Sequence, residues 1–85
     1  MPDLIKEQAD LDKAEQDIRH GEERIAQQSR LIAELRRDGH DTRKAEKLLW
    51  ALQQSLKTWK AHRDTIRNVL AFAKKRAHNR SNGGR

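Results

Sequence analysis

The sequence predicts an all-α fold: an antiparallel two-helix hairpin of coiled-coil type, packing as a dimeric four-helix bundle. Two long apolar stripes with alternating spacings of three and four predict two helices, and a short Gly-containing segment between them predicts a tight reversal. With one Pro and four Gly in 85 residues, few positions oppose long helices.

The first helix is expected over residues 3–37. Leu4, Leu11, Ile18, Ile25 and Ile32 recur every seven residues, and Glu7, Ala14, Gly21, Gln28 and Leu35 complete the seam. The turn, residues 38–41, lies within Arg37-Asp38-Gly39-His40-Asp41-Thr42. Gly39 suits the left-handed conformation that closes a helix, and Asp41 or Thr42 suits the cap of the next one. The second helix is expected over residues 42–77, where Ala45, Leu49, Leu52, Leu56, Trp59, Arg63, Ile66, Leu70, Ala73 and Ala77 make a wider and more apolar stripe. Residues 1–77 thus form one hairpin domain. From His78 onward apolar periodicity ends and good helix formers are scarce, so residues 78–85 are expected to be a disordered basic tail.

Each arm spans about 50 Å at 1.5 Å per residue, and closure by so short a turn pairs positions whose numbers add to about 80. That register sets Leu35 against Ala45, Ile25 near Leu56, Ile18 near Arg63, and Leu11 near Leu70 and Ile66. Gly21 falls opposite Trp59. A Gly in mid-helix costs about 1 kcal/mol relative to Ala, so a packing reason is expected, namely that the indole fills the groove Gly21 leaves. Arg63 places a charge on the seam, with Asp17 and Glu22 in reach of its guanidinium, and its expected use is to fix register. An opened hairpin that swaps arms between two chains would preserve the same contacts.

Composition removes several function classes. Charged residues are 38% of the chain against 34% hydrophobic, and there is no Cys, so neither a disulfide framework nor a thiolate metal site is available. This fits a reducing compartment, with cytoplasm as the default. No apolar run approaches the roughly 20 residues that span a bilayer, and residues 1–12 lack the pattern of a secretion signal, so no membrane association is expected. The net charge of +6 is uneven: residues 1–37 carry seven basic and nine acidic side chains, and residues 38–85 carry twelve and four.

The candidates for chemistry are few. His20 and His62 approach each other in the expected register, but a zinc site needs three or four ligands at tight spacing, and solvated histidines explain the pattern. His40 in the turn has no pocket around it and reads as helix punctuation. No phosphate-cradling loop, dinucleotide fingerprint or Ser-His-carboxylate arrangement is present in the sequence. Arg63 is the one residue a helical enzyme cleft would use, and register is its commoner role. No catalytic residue, cofactor, metal or small-molecule substrate is therefore expected.

Binding is the more productive reading. Trp50, Val69 and Phe72 on the second helix and Ile5 and Leu31 on the first lie off the seams and cannot all face one partner helix. They predict a homodimer or a helical protein partner, with Trp50 and Phe72 as anchors. The alternative is weak, sequence-independent nucleic-acid binding through Lys57, Lys60, Arg67, Lys74, Lys75 and Arg76, a cationic string able to neutralise phosphates. Nine acidic side chains alongside and the lack of base-reading Asn, Gln and Arg spacing weigh against it.

The stretch from Ala14-Glu15 through Gly21-Glu22-Glu23-Arg24-Ile25, Leu31-Ile32, Asp38-Gly39-His40-Asp41-Thr42, Ala45-Glu46, Leu48-Leu49 and His62-Arg63 resembles a family of small helical-hairpin proteins of rhizobia and related alphaproteobacteria. Similar segments are attached to sensory signalling proteins. The resemblance covers roughly residues 11–66 and is most specific at the turn. Trp50, Trp59 and the basic tail depart from the family's pattern. What the resemblance implies is a hairpin fold in a bacterial signalling context, with no assigned activity and no catalytic residues. Together these readings lead to an expectation of a non-catalytic helical interaction or oligomerisation module.

Overall fold

The computed structural model of the chain describes the backbone of residues 3–83 and the side chains of residues 3–78. The element order is α1, Leu4–Arg37, followed by α2, Arg43–Gly83, and the two pack against each other along their length. The hairpin is a rod of 72 × 15 × 14 Å.

Each helix end has a local chemical cause. The Asp3 carboxylate accepts hydrogen bonds from the backbone N–H groups of Ile5 at 3.0 Å and Lys6 at 3.3 Å, satisfying donors that the first turn of a helix leaves unpaired. At the other end of α1, Gly39 takes φ +77°, the His40 N–H donates to the Leu35 carbonyl at 2.8 Å, and the Gly39 N–H donates to the Arg36 carbonyl at 3.1 Å. This is the paired closure of a Schellman motif, which needs a residue that tolerates the left-handed region at that point. Two residues later Asp41 starts α2. Its side chain accepts from the Arg43 N–H at 2.9 Å, and its carboxylate also receives the Arg43 guanidinium. The Thr42 carbonyl takes the first helical hydrogen bond, from the Glu46 N–H. The turn thus closes as its residues predict.

The seam is the one the heptads define. Ile18, Ile32, Ile66 and Leu70 are buried, and Leu11, Ile25, Leu35, Leu49, Leu52 and Leu56 are half-buried between the helices. Three cross-hairpin ion pairs fix the register: Arg36 with Glu46, Glu22 with Lys60 at 3.8 Å, and Glu15 with Arg67 at 3.3 Å. Every one joins positions whose numbers add to 82, a displacement of less than a helical turn from the sequence expectation. Gln28 adds a tie of its own by donating to the Ala45 carbonyl at 2.9 Å. The closed form, both arms in one chain, is the form observed.

Three expectations need correction. Gly21 does not receive the Trp59 indole: a Cβ at Gly21 would meet Leu56 Cδ1 at 3.3 Å, and no other atom outside its own helical turn lies within 4 Å. Leu56 sits one turn nearer the hairpin's closed end and fills the groove, while Trp59 stays 44% exposed on the seam's edge. Arg63 is held on the seam, its side chain 21% exposed, but its Nε donates to the neighbouring Asp64 at 3.0 Å. Asp17 is engaged by Lys13 and Glu22 by Lys60, so the expected partners are taken. Finally, helix α2 continues to Gly83 where the sequence pattern predicts a tail from His78. Extending a formed helix adds a hydrogen bond per residue, and Asn and Ser cost only a few tenths of a kcal/mol each against that. Gly84 and Arg85 lie outside the described residues.

Candidate functional site

The two flanks of the seam differ in kind. Along one flank run the residues that directly follow seam positions: Glu15, Glu22 and Arg36 on α1, and Glu46, Lys60 and Arg67 on α2, which form the three cross-hairpin ion pairs. Here opposite charges of the acidic arm and the basic arm meet, although exposed pairs contribute only tenths of a kcal/mol each. The opposite flank carries the residues that directly precede seam positions. Leu31 and Leu48 face outward there at the same level of the hairpin, and Val69 lies further along; all three are exposed. On that flank the charged residues of α1 pair within their own helix, Lys6 with Asp10 and Lys13 with Asp17, and do not cross to α2. The Asp10 carboxylate beside it raises the Lys6 ammonium above the ordinary lysine range.

The five residues read as an interface are all uncovered. Ile5, Trp50, Leu31, Val69 and Phe72 are each exposed, Trp50 at 62% and Phe72 at 59%. They do not share one surface. Counted on the seam's heptad frame, Leu31 and Val69 lie on the flank without cross-hairpin ion pairs and Phe72 continues it outward on α2, whereas Trp50 and Ile5 sit on the outer backs of their helices. Trp50 lies in an open groove with Asp41, Arg43, Lys44, Glu46 and Lys47 near the turn. Leu48 and Trp59 are exposed as well, although spacing alone puts Trp59 on the seam. Their outward area becomes visible only once the register places Leu49 and Leu56 between the helices.

The cationic string is partly consumed by the fold. Lys60 and Arg67 pair with α1 carboxylates, and the Arg76 guanidinium stands 5.7 Å over the Phe72 ring. Lys57, Lys74 and Lys75 are exposed on the ion-paired side and the back of α2, with Asp64 among them. The turn supplies the one strongly organised carboxylate, Asp41, whose hydrogen bonds from the Arg43 side chain and backbone hold it below the usual range and raise Arg43 above its own. That pair caps a helix. Among the described residues, no group of three or more His, Cys, Asp or Glu side chains converges as metal ligands, and no helix is long and apolar enough to cross a membrane.

In comparisons with known proteins, no family model matches the chain, and no curated protein or solved structure matches it significantly.

Proposed function

We propose that this chain is a non-catalytic helical interaction module that binds another helical surface through the flank of its hairpin that lacks cross-hairpin ion pairs. One observation carries the reading: of the two flanks of a single seam, one is laced by cross-hairpin ion pairs while the other leaves Leu31, Leu48 and Val69 uncovered beside Phe72. Among the described residues only Ile18, Ile32, Ile66 and Leu70 are buried, a core one layer thick that is small for the hairpin's length, and covering the second flank adds the burial that it lacks. A dimeric four-helix bundle is the form of association that covers most of these residues. The bacterial signalling context rests on the resemblance over roughly residues 11–66, which is most specific at the turn.

The test replaces Leu31, Leu48 and Val69 together with Gln and follows mass, helicity and the fluorescence of a hydrophobic dye. The reading predicts that the variant keeps the hairpin's helicity but loses both association and dye binding. A wild-type chain that neither associates nor binds the dye would overturn it, as would a variant whose helices melt, since these residues would then belong to the hairpin's own stability.

A further inference from the structure

Beyond the residues already named, α2 carries a second stripe. Starting at Leu48 and ending at Phe72, positions alternate at spacings of three and four, and none of them bears a fixed charge, on a helix otherwise dense with Lys and Arg. Lys44 and Arg76 close the stripe at its two ends. All its members are exposed. Its two threonine hydroxyls are already engaged: Thr58 donates to the Gln54 carbonyl and Thr65 to the Ala61 carbonyl, each at 3.2 Å.

The uncharged residues of the stripe are self-complementary in order, while its two ends set Lys44 against Arg76 of the copy. When a second α2 is laid antiparallel with the twofold axis at position 60, Leu48 meets Phe72 of the copy, Ala51 meets Val69, Ser55 meets Thr65 and Thr58 meets His62. Large faces small at Ala51 and Val69, small polar faces small polar at Ser55 and Thr65, and the aromatic ring lands on Leu48 with Leu31 at the same level beside it. Trp59, only partly covered within its own hairpin, falls on the axis next to its own copy. A parallel pairing instead stacks Ala51 on Ala51 and His62 on His62, leaving voids and like against like. Packing the stripe on α1 of another copy would bury the Lys6–Asp10 and Lys13–Asp17 pairs, at a desolvation cost that apolar contacts do not repay.

We infer that the occupant of this flank is a second copy of the chain, docked α2 to α2 in antiparallel register about position 60. This inference rests on the interaction-module reading and names its partner. It is an isologous interface, in which one patch pairs with itself, and it brings four helices together.

The chain has no Cys, so engineered thiols report on this contact alone. Ala51→Cys and Val69→Cys are made separately, each at an exposed position, and are treated with oxidised glutathione alone and mixed. In the inferred register, two copies of residue 51 lie about 27 Å apart along the axis, too far for a disulfide, whereas 51 and 69 are adjacent. The mixture should therefore form covalent dimer at least about tenfold above either variant alone, because contact raises the effective thiol concentration well above that of free chains. Crosslinking of each variant with itself but not across the mixture would overturn the antiparallel register. A wild-type dimer with no crosslink in any arm would overturn the choice of surface while leaving self-association standing. A wild-type monomer up to about 100 μM would overturn the second copy. The hydrophobic dye then separates the two readings: dye bound by that monomer and lost in the Leu31, Leu48 and Val69 variant keeps the interaction module with a different partner, and no dye bound removes both.

Discussion

Gly21→Ala is the substitution whose outcome the packing determines most sharply. In the helix interior, Ala gains about 1 kcal/mol over Gly from backbone entropy and propensity. Against this stands one contact: the new Cβ would lie 3.3 Å from Leu56 Cδ1, inside ordinary van der Waals distance, so Leu56 must give way by a few tenths of an ångström. Leu56 is half-buried and the contacting atom is the terminal methyl of a flexible side chain, which makes that shift inexpensive, at about 0.5 kcal/mol. The net expectation is a gain of about 0.5 kcal/mol, or about 2–4 °C in the melting midpoint of a domain this size. Circular dichroism melts at one fixed protein concentration measure it, since association would otherwise move the midpoint. A drop of several degrees would refute the reasoning and show that Leu56 is locked against Gly21, with the helices' close approach depending on the missing side chain. Gly39→Ala is the natural contrast. Nothing lies within 4 Å of the added Cβ, but φ is +77°, so the cost is purely conformational, about 1–2 kcal/mol, and the midpoint should fall.

Further predictions concern charge. Asp41 titrates below the ordinary aspartate range because Arg43 bonds its charged form, so its capping contribution is present above about pH 4 and is lost as pH falls through the depressed value. Asp41→Asn, which keeps a capping oxygen but no charge, should flatten the acid-side decline in helicity, and an unchanged acid profile would contradict that assignment. Arg63→Leu replaces a largely desolvated seam charge whose only bonded carboxylate is its neighbour, and should leave stability unchanged or raise it by about 1 kcal/mol, while broadening the distribution of masses in sedimentation. A loss above about 2 kcal/mol would mean that Arg63 carries a bond essential to the fold. Salt should act with opposite signs on the two levels of structure. Added salt slightly weakens the hairpin through its three exposed cross-helix pairs, but strengthens the α2–α2 contact, which brings Lys44 and Lys47 near Lys75 and Arg76 of the copy. Nucleic-acid binding through the same cations would instead weaken steeply with salt, as a duplex-retardation series would show.

The hairpin was legible because its information is local and periodic. Ile18, Ile32, Ile66 and Leu70 could be picked out by spacing alone, and Gly39 and Asp41 announce a closure and a cap through what their side chains permit. What spacing could not resolve is offset within a turn. A shift of two or three residues decides whether Leu56 or Trp59 meets Gly21, and which carboxylate is nearest Arg63, and apolar periodicity is indifferent to so small a slide. The end of α2 escapes the sequence pattern for a different reason: composition registers the low propensity of Asn and Ser but not the long helix already formed before them. At the surface, the off-seam residues Ile5, Leu31, Trp50, Val69 and Phe72 were identifiable as uncovered, yet the division between flanks emerged only when the ion pairs showed on which side of the seam the two helices are bridged. Ala51, Ser55, Thr58 and Thr65 carry no signal alone, since small and polar residues on an exposed helix face are ordinary.

Sedimentation equilibrium of the wild-type chain beside a Val69→Glu variant, from about 1 to about 100 μM, tests the central claim most directly. Val69 is 37% exposed in the hairpin, on the flank that also carries Asp10 and Asp17 of α1, and Glu there places an unpaired carboxylate in the contact. The account predicts a wild-type mass that rises to that of two chains with concentration, and a variant whose dissociation constant is at least about 100-fold weaker with unchanged helicity. A wild type and a variant of equal mass at every concentration would contradict it.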